Sequence, residues 1–98
     1  MKKLTIEKLI TKLENIGCCL NDELDHIENN GHSSGMYTKN DLQRIIDWAG
    51  SLIRDTGKAM RVETKETTKI SLAHIQYLCT YVASACMQII ETIDNEEV

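Results

Sequence analysis

The run ISLAHIQYLCTYVASACMQII, residues 70–90, contains no charged side chain, whereas about one residue in three is charged elsewhere in the chain. Within it and just beyond, Leu72, Ile75, Cys79, Val82, Cys86, Ile89 and Ile93 alternate steps of three and four. That is the heptad seam of a helix packed against neighbouring helices. His74, Tyr77, Tyr81, Ser84 and Gln88 form a second stripe at the same spacing, away from the seam. A helix with one wet face normally carries Lys, Glu or Arg there. Their absence predicts that both faces are covered, one by the chain's own core and the other by something outside it.

Two further amphipathic segments precede this run. In the first, Ile6, Leu9, Leu13, Ile16, Leu20, Leu24 and Ile27 recur at helical spacing, with Ile10 beside them. Thr5 is expected to cap its start, and Gly31 to end it in the left-handed conformation. Residues 31–37 read as a loop by composition. Thr38 or Asn40 then caps a second helix carrying Leu42, Ile45, Ile46, Ala49, Leu52, Ile53, Ala59 and Met60. Asp41 in its first turn and Arg61 in its last suit the helix dipole. The polar, Thr-rich residues 62–69 read as the second connection, and residues 94–98 as a fraying tail.

The expected helices therefore span about residues 5–29, 39–61 and 71–94. Ninety-eight residues suit one domain. The chain has no Phe and no Pro, so its core must be built from Ile, Leu, Val, Ala, Met and Cys. The fold class is all-α: an antiparallel up-down-up bundle of three long helices, paired into a homodimer.

That topology sorts the charges. One end collects nine of the eleven basic residues, among them Lys2, Lys3, Arg54, Lys58, Arg61, Lys65 and Lys69. The other collects ten of the fifteen acids, with Asp22, Glu23, Asp25, Glu28, Asp94, Glu96 and Glu97 forming an acidic pole. A polar field of this kind orients partners. The three helix midpoints are also small: Gly17-Cys18-Cys19, Ala49-Gly50-Ser51 and Ala83-Ser84-Ala85. Glycine inside a helix costs about 1 kcal/mol relative to Ala, so close backbone packing is expected at these waists.

No catalytic motif stands out. Glu23-x-x-His26 has the spacing of a carboxylate–histidine metal pair, but di-iron bundles need a second such motif and further inward carboxylates. No metal and no cofactor is expected. Cys18, Cys19, Cys79 and Cys86 lack zinc spacing and follow no signal-peptide pattern. They read as free thiols in a reducing, cytoplasmic setting. Arg54, Lys58, Arg61 and Lys65 share one helix face, yet Asp55, Glu63 and Glu66 interrupt it and the net charge is −4. Direct nucleic-acid binding is not expected. Residues 70–90 are long enough to span a bilayer, but His74, Gln76, Thr80, Ser84 and Gln88 are costly in lipid, so no membrane partner is expected either.

The functional expectation is a small non-enzymatic interaction module. It docks on a protein partner, itself included, through His74, Tyr77, Tyr81, Ser84, Met87 and Gln88, because interfaces favour Tyr and exclude Lys, Glu and Asp. The main alternative is an acidic inhibitor of the phage or mobile-element type. Its pole would fill the basic groove of a nucleic-acid-handling host protein. A metal-dependent enzyme built on Glu23 is the remote alternative.

Overall fold

The computed structural model describes residues 3–97, with side chains from residue 5 onward. Three helices account for almost all of them: α1 (Lys3–Asn30), α2 (Lys39–Val62) and α3 (Glu66–Glu96). There is no strand among the described residues.

Burial follows the heptads and identifies the central helix. The buried apolar side chains of α1 are Ile6, Leu13 and Leu20; the buried side chains of α2 are Leu42, Ala49 and Thr56. Each set repeats every seventh residue, which is one row per helix. Two interleaved rows of α3 are buried: Leu72, Cys79 and Cys86, and Ile75, Val82 and Ile89. α3 thus buries more of its circumference than either of the other helices. Accordingly α3 packs against both α1 and α2, whereas no described Cα of α1 lies within 8 Å of α2.

Helix directions follow from pairs across the interfaces. Lys39 at the start of α2 pairs with Asp94 at the end of α3 (2.9 Å). The Gln76 side-chain amide near the start of α3 donates to the Ile53 carbonyl in the second half of α2 (3.1 Å). These helices are antiparallel. The Tyr81 hydroxyl donates to Asn21 and Ser33 just after α1 docks on Glu96, so α1 runs parallel to α3. The result is an up-down-up bundle measuring 50 × 19 × 15 Å.

Several local expectations hold. Gly31 takes φ +77° and its N–H bonds the Ile27 carbonyl (2.7 Å), which ends α1. Thr38 caps α2 through a capping box with Asp41: the Asp41 N–H donates to the Thr38 hydroxyl and the Thr38 N–H to the Asp41 carboxylate.

Others change. Thr5 cannot cap α1, because the helix already runs through it from Lys3. α3 begins at Glu66 rather than near Ser71, so the second connection shrinks to residues 63–65. The Glu63 carboxylate closes that turn by accepting from the Thr64 and Lys65 N–H groups, both at 3.0 Å. A polar, Thr-rich first turn is compatible with helix when it faces solvent; apolar periodicity marks only the packed part. The tail is helical to Glu96, and the Glu97 N–H bonds the Ile93 carbonyl (3.2 Å). Lys39 and Ser33 tie its charges down; Val98 lies outside the described residues.

Candidate interaction surface

The outer face of α3 carries the six side chains expected to dock. His74, Ser84 and Gln88 are exposed. Tyr77 is 67% exposed, Met87 55% and Tyr81 37%. Ile70, at 62%, joins them. Sequence reasoning missed it because the helix was expected to start one residue later. Ile70, Ala73, Tyr77, Thr80, Ser84 and Met87 now follow one another at steps of three and four along the helix.

Tyr81 serves the chain as well as the surface. Its hydroxyl reaches Asn21 of α1, and its ring lies over Gly17, where a Cβ would sit 3.5 Å from Cε1. A side-chain ring, rather than the close backbone packing expected at the waist of α1, therefore covers Gly17. The waist of α2 has no counterpart: nothing lies within 4 Å of a Cβ at Gly50. The small residues therefore do not form one three-way crossing, because α1 and α2 are held apart. Between them, Lys12 stacks on Trp48 at 4.9 Å. Below that pair opens a groove of about 230 Å³ lined by Ile16, Cys19, Leu20, Tyr37 and Ile45 with Asn15.

Gln76 and Thr80 account for part of the uncharged run from within. The Gln76 amide is spent on Ile53 of α2, and the Thr80 hydroxyl donates to the Gln76 carbonyl one turn back (2.9 Å). Neither absorbs the apolar area at Ile70, Tyr77 and Met87.

The acidic pole is largely engaged within the chain. Glu23 is buried, 4% exposed, and accepts from the Ser34 N–H (3.0 Å) and the Ser34 hydroxyl. Glu96 accepts from the Ser33 N–H and from its hydroxyl (2.8 Å). The Ser33 backbone N–H, then its hydroxyl, holds the Glu96 carboxyl below the usual carboxylate range. Asp94 and Glu97 both bond Lys39, each at 2.9 Å, and raise the Lys39 pKa. Two glutamates and one lysine thus latch the 31–38 loop and the start of α2 onto the ends of α1 and α3. Asp22, Asp25 and Glu28 remain exposed with no ion pair among the described residues. At the basic end, Lys2 and the side chain of Lys3 lie outside the described residues.

Glu23 and His26 do not converge on a shared point. Glu23 faces Ser34, whereas His26 Nδ1 accepts from the Asn30 amide (3.3 Å) and its ring meets His32 edge-on at 5.4 Å. No group of three or more His, Cys, Asp or Glu among the described residues is clustered to hold a metal. Cys79 and Cys86 are buried in the seam, and burial pushes each thiol up to about 11. Cys18 and Cys19 are both exposed and free. No helix among the described residues is long and apolar enough to cross a membrane.

Comparison with protein-family models, with curated proteins and with solved structures found no match to this chain.

Proposed function

We propose that this chain is a non-enzymatic interaction module that docks on a protein surface through the outer face of α3, and that it self-associates there. One observation carries the reading. Ile70, Tyr77, Tyr81 and Met87 stand exposed on a helix face that has no charged side chain from residue 70 to residue 90. Isolated exposed apolar residues need no explanation. A row of them on an uncharged helix face is the composition of an interface centre. His74, Ser84 and Gln88 supply hydrogen-bonding groups along its edge. The two exposed free thiols suit a reducing, cytoplasmic setting.

The test is association of the wild type and of a Tyr77→Glu, Met87→Glu double variant, read as molar mass by light scattering across a concentration series. Both positions are solvent-facing, so helix content and thermal stability of the variant should be preserved while association is lost. A variant that still associates like the wild type refutes docking through this face. Tyr81 is a poorer probe, since Tyr81→Glu also removes a contact between α1 and α3.

The acidic-inhibitor reading draws on Asp22, Asp25 and Glu28, which are exposed and free to meet a basic groove. It is weakened by the commitment of Glu23, Asp94, Glu96 and Glu97 to the chain itself. Binding to a basic partner that collapses as salt rises is the result that favours it.

A further inference from the structure

Resting on the reading of the α3 outer face as the docking surface, we propose that its occupant is a second copy of this chain laid antiparallel, the basic end of each molecule beside the acidic end of the other. A helix face that pairs with itself can do so about a two-fold axis along the helix or across it, giving parallel or antiparallel copies. Charge and area choose between them.

The molecule is a rod 50 Å long and 19 × 15 Å across. Among the described side chains, one end holds seven basic and five acidic ones, the other two basic and ten acidic. Both ion pairs among the described residues involve Lys39 at the acidic end. Arg54, Lys58, Arg61, Lys65 and Lys69 at the basic end have no ion-pair partner among the described residues. Glu91, exposed and also without one, continues the α3 face one turn beyond Met87. Parallel copies would set the exposed, unpaired Asp22, Asp25, Glu28 and Glu91 of one molecule beside their own counterparts. Antiparallel copies set them against an end with surplus positive charge.

Area makes the ends matter. The uncharged strip is about 31 Å long and about 10 Å wide. Two copies would therefore bury roughly 600 Å², against the roughly 1,200 Å² at which specific pairs begin. The contact must run past the strip toward both ends, and only the antiparallel arrangement lets it do so without opposing like charges. A two-fold axis near Thr80 and Tyr81, the middle of the run, lays Tyr77 of one copy beside Ser84 of the other, Ala73 beside Gln88 and Met87 beside His74. The pairing should be reversible and weakened by salt.

Crosslinking reads the orientation directly. In a Cys18→Ser, Cys19→Ser background, Ala73→Cys and Gln88→Cys place single reactive thiols on exposed positions of α3, since Cys79 and Cys86 are buried. The two sites are about 22 Å apart along the helix, well beyond the reach of a short bis-maleimide. Mixing the two variants should give covalent dimer at least fivefold in excess of either variant alone. Efficient crosslinking of each variant with itself would establish parallel copies, overturning the antiparallel proposal while leaving the docking face intact. A dimer in solution that crosslinks at neither position would overturn the docking face too. A wild type that stays monomeric at every concentration overturns the proposal.

Discussion

Replacing the two mid-helix glycines by alanine is the sharpest test of how the helices are spaced. If α1, α2 and α3 met at a shared narrow waist, a methyl group at Gly17 or Gly50 would force them apart. The structure says otherwise at both positions. A Cβ at Gly17 would rest 3.5 and 3.7 Å from the Tyr81 ring, ordinary van der Waals contact, and a Cβ at Gly50 would meet nothing within 4 Å. The only remaining term is helix propensity, which favours Ala over Gly by about 1 kcal/mol in a helix interior. Gly17→Ala and Gly50→Ala should therefore each stabilise by about 1 kcal/mol. For a domain of this size that raises Tm by about 4–8 °C apiece. The two sites share no contact, so the double variant should gain roughly twice as much. The assay is thermal unfolding followed by circular dichroism at one fixed protein concentration, because self-association makes Tm concentration-dependent. Gly17→Leu is the internal control. Its added carbons have no room beneath the Tyr81 ring, and the overpacking should cost about 1–3 kcal/mol. A lowered Tm for Gly17→Ala would refute the spacing of α1 and α3. A lowered Tm for Gly50→Ala would mean that another surface covers α2 in solution, which docking through α3 does not provide.

Other outcomes follow from the same geometry. Val82→Asp puts an unpaired charge at a fully buried seam position; its cost of several kcal/mol is a large part of the total stability of such a domain, and cooperative unfolding should disappear from the thermal melt. Glu23→Ala strips Ser34 of both its partners on α1; the loss should be about 1–3 kcal/mol, with faster hydrogen exchange confined to the 31–38 loop. Brief alkylation at mildly alkaline pH should label two thiols, Cys18 and Cys19, and all four only after denaturation, because burial shields Cys79 and Cys86 and raises their pKa to about 11. The Glu96 contact should be fully formed above the ordinary carboxylate range and lost as pH falls through its lowered pKa; the Lys39 contact should persist below the ordinary lysine range and be lost as pH rises through its raised one. The amide resonance of Ser33 followed by NMR checks the first, since a shift that ignores acid down to unfolding would mean that Glu96 does not hold the loop.

The helical class, the number of helices and the phase of each were legible because they rest on short-range rules. Apolar residues at steps of three and four mark the packed face, and every α3 seam residue from Leu72 to Ile89 is buried as that rule requires. Gly31 and Thr38 act through their own backbone and that of residues a few positions away. The same rules faltered at the start of α3, where residues 66–69 are polar and have no apolar pattern to report.

What only the tertiary structure decided depends on residues far apart in the chain. That α3 is the central helix follows from its packing against both α1 and α2, which no single helix sequence reveals. The acidic pole looked like free surface charge. Instead Glu96 meets Ser33 across 63 residues and Lys39 meets Asp94 across 55. Glu23, read as a surface acid, is buried beneath a loop eleven residues away. Thr56 occupies a core row because its hydroxyl returns to the Leu52 carbonyl (2.6 Å) and so needs no water. Tyr81, assigned wholly to the outer face, spends its hydroxyl on Asn21, 60 residues away. Helix periodicity and capping are carried by neighbours in sequence and can be read from them. The burial and engagement of a charge depend on which distant donor the packed helices bring to it, and that is settled only when they pack.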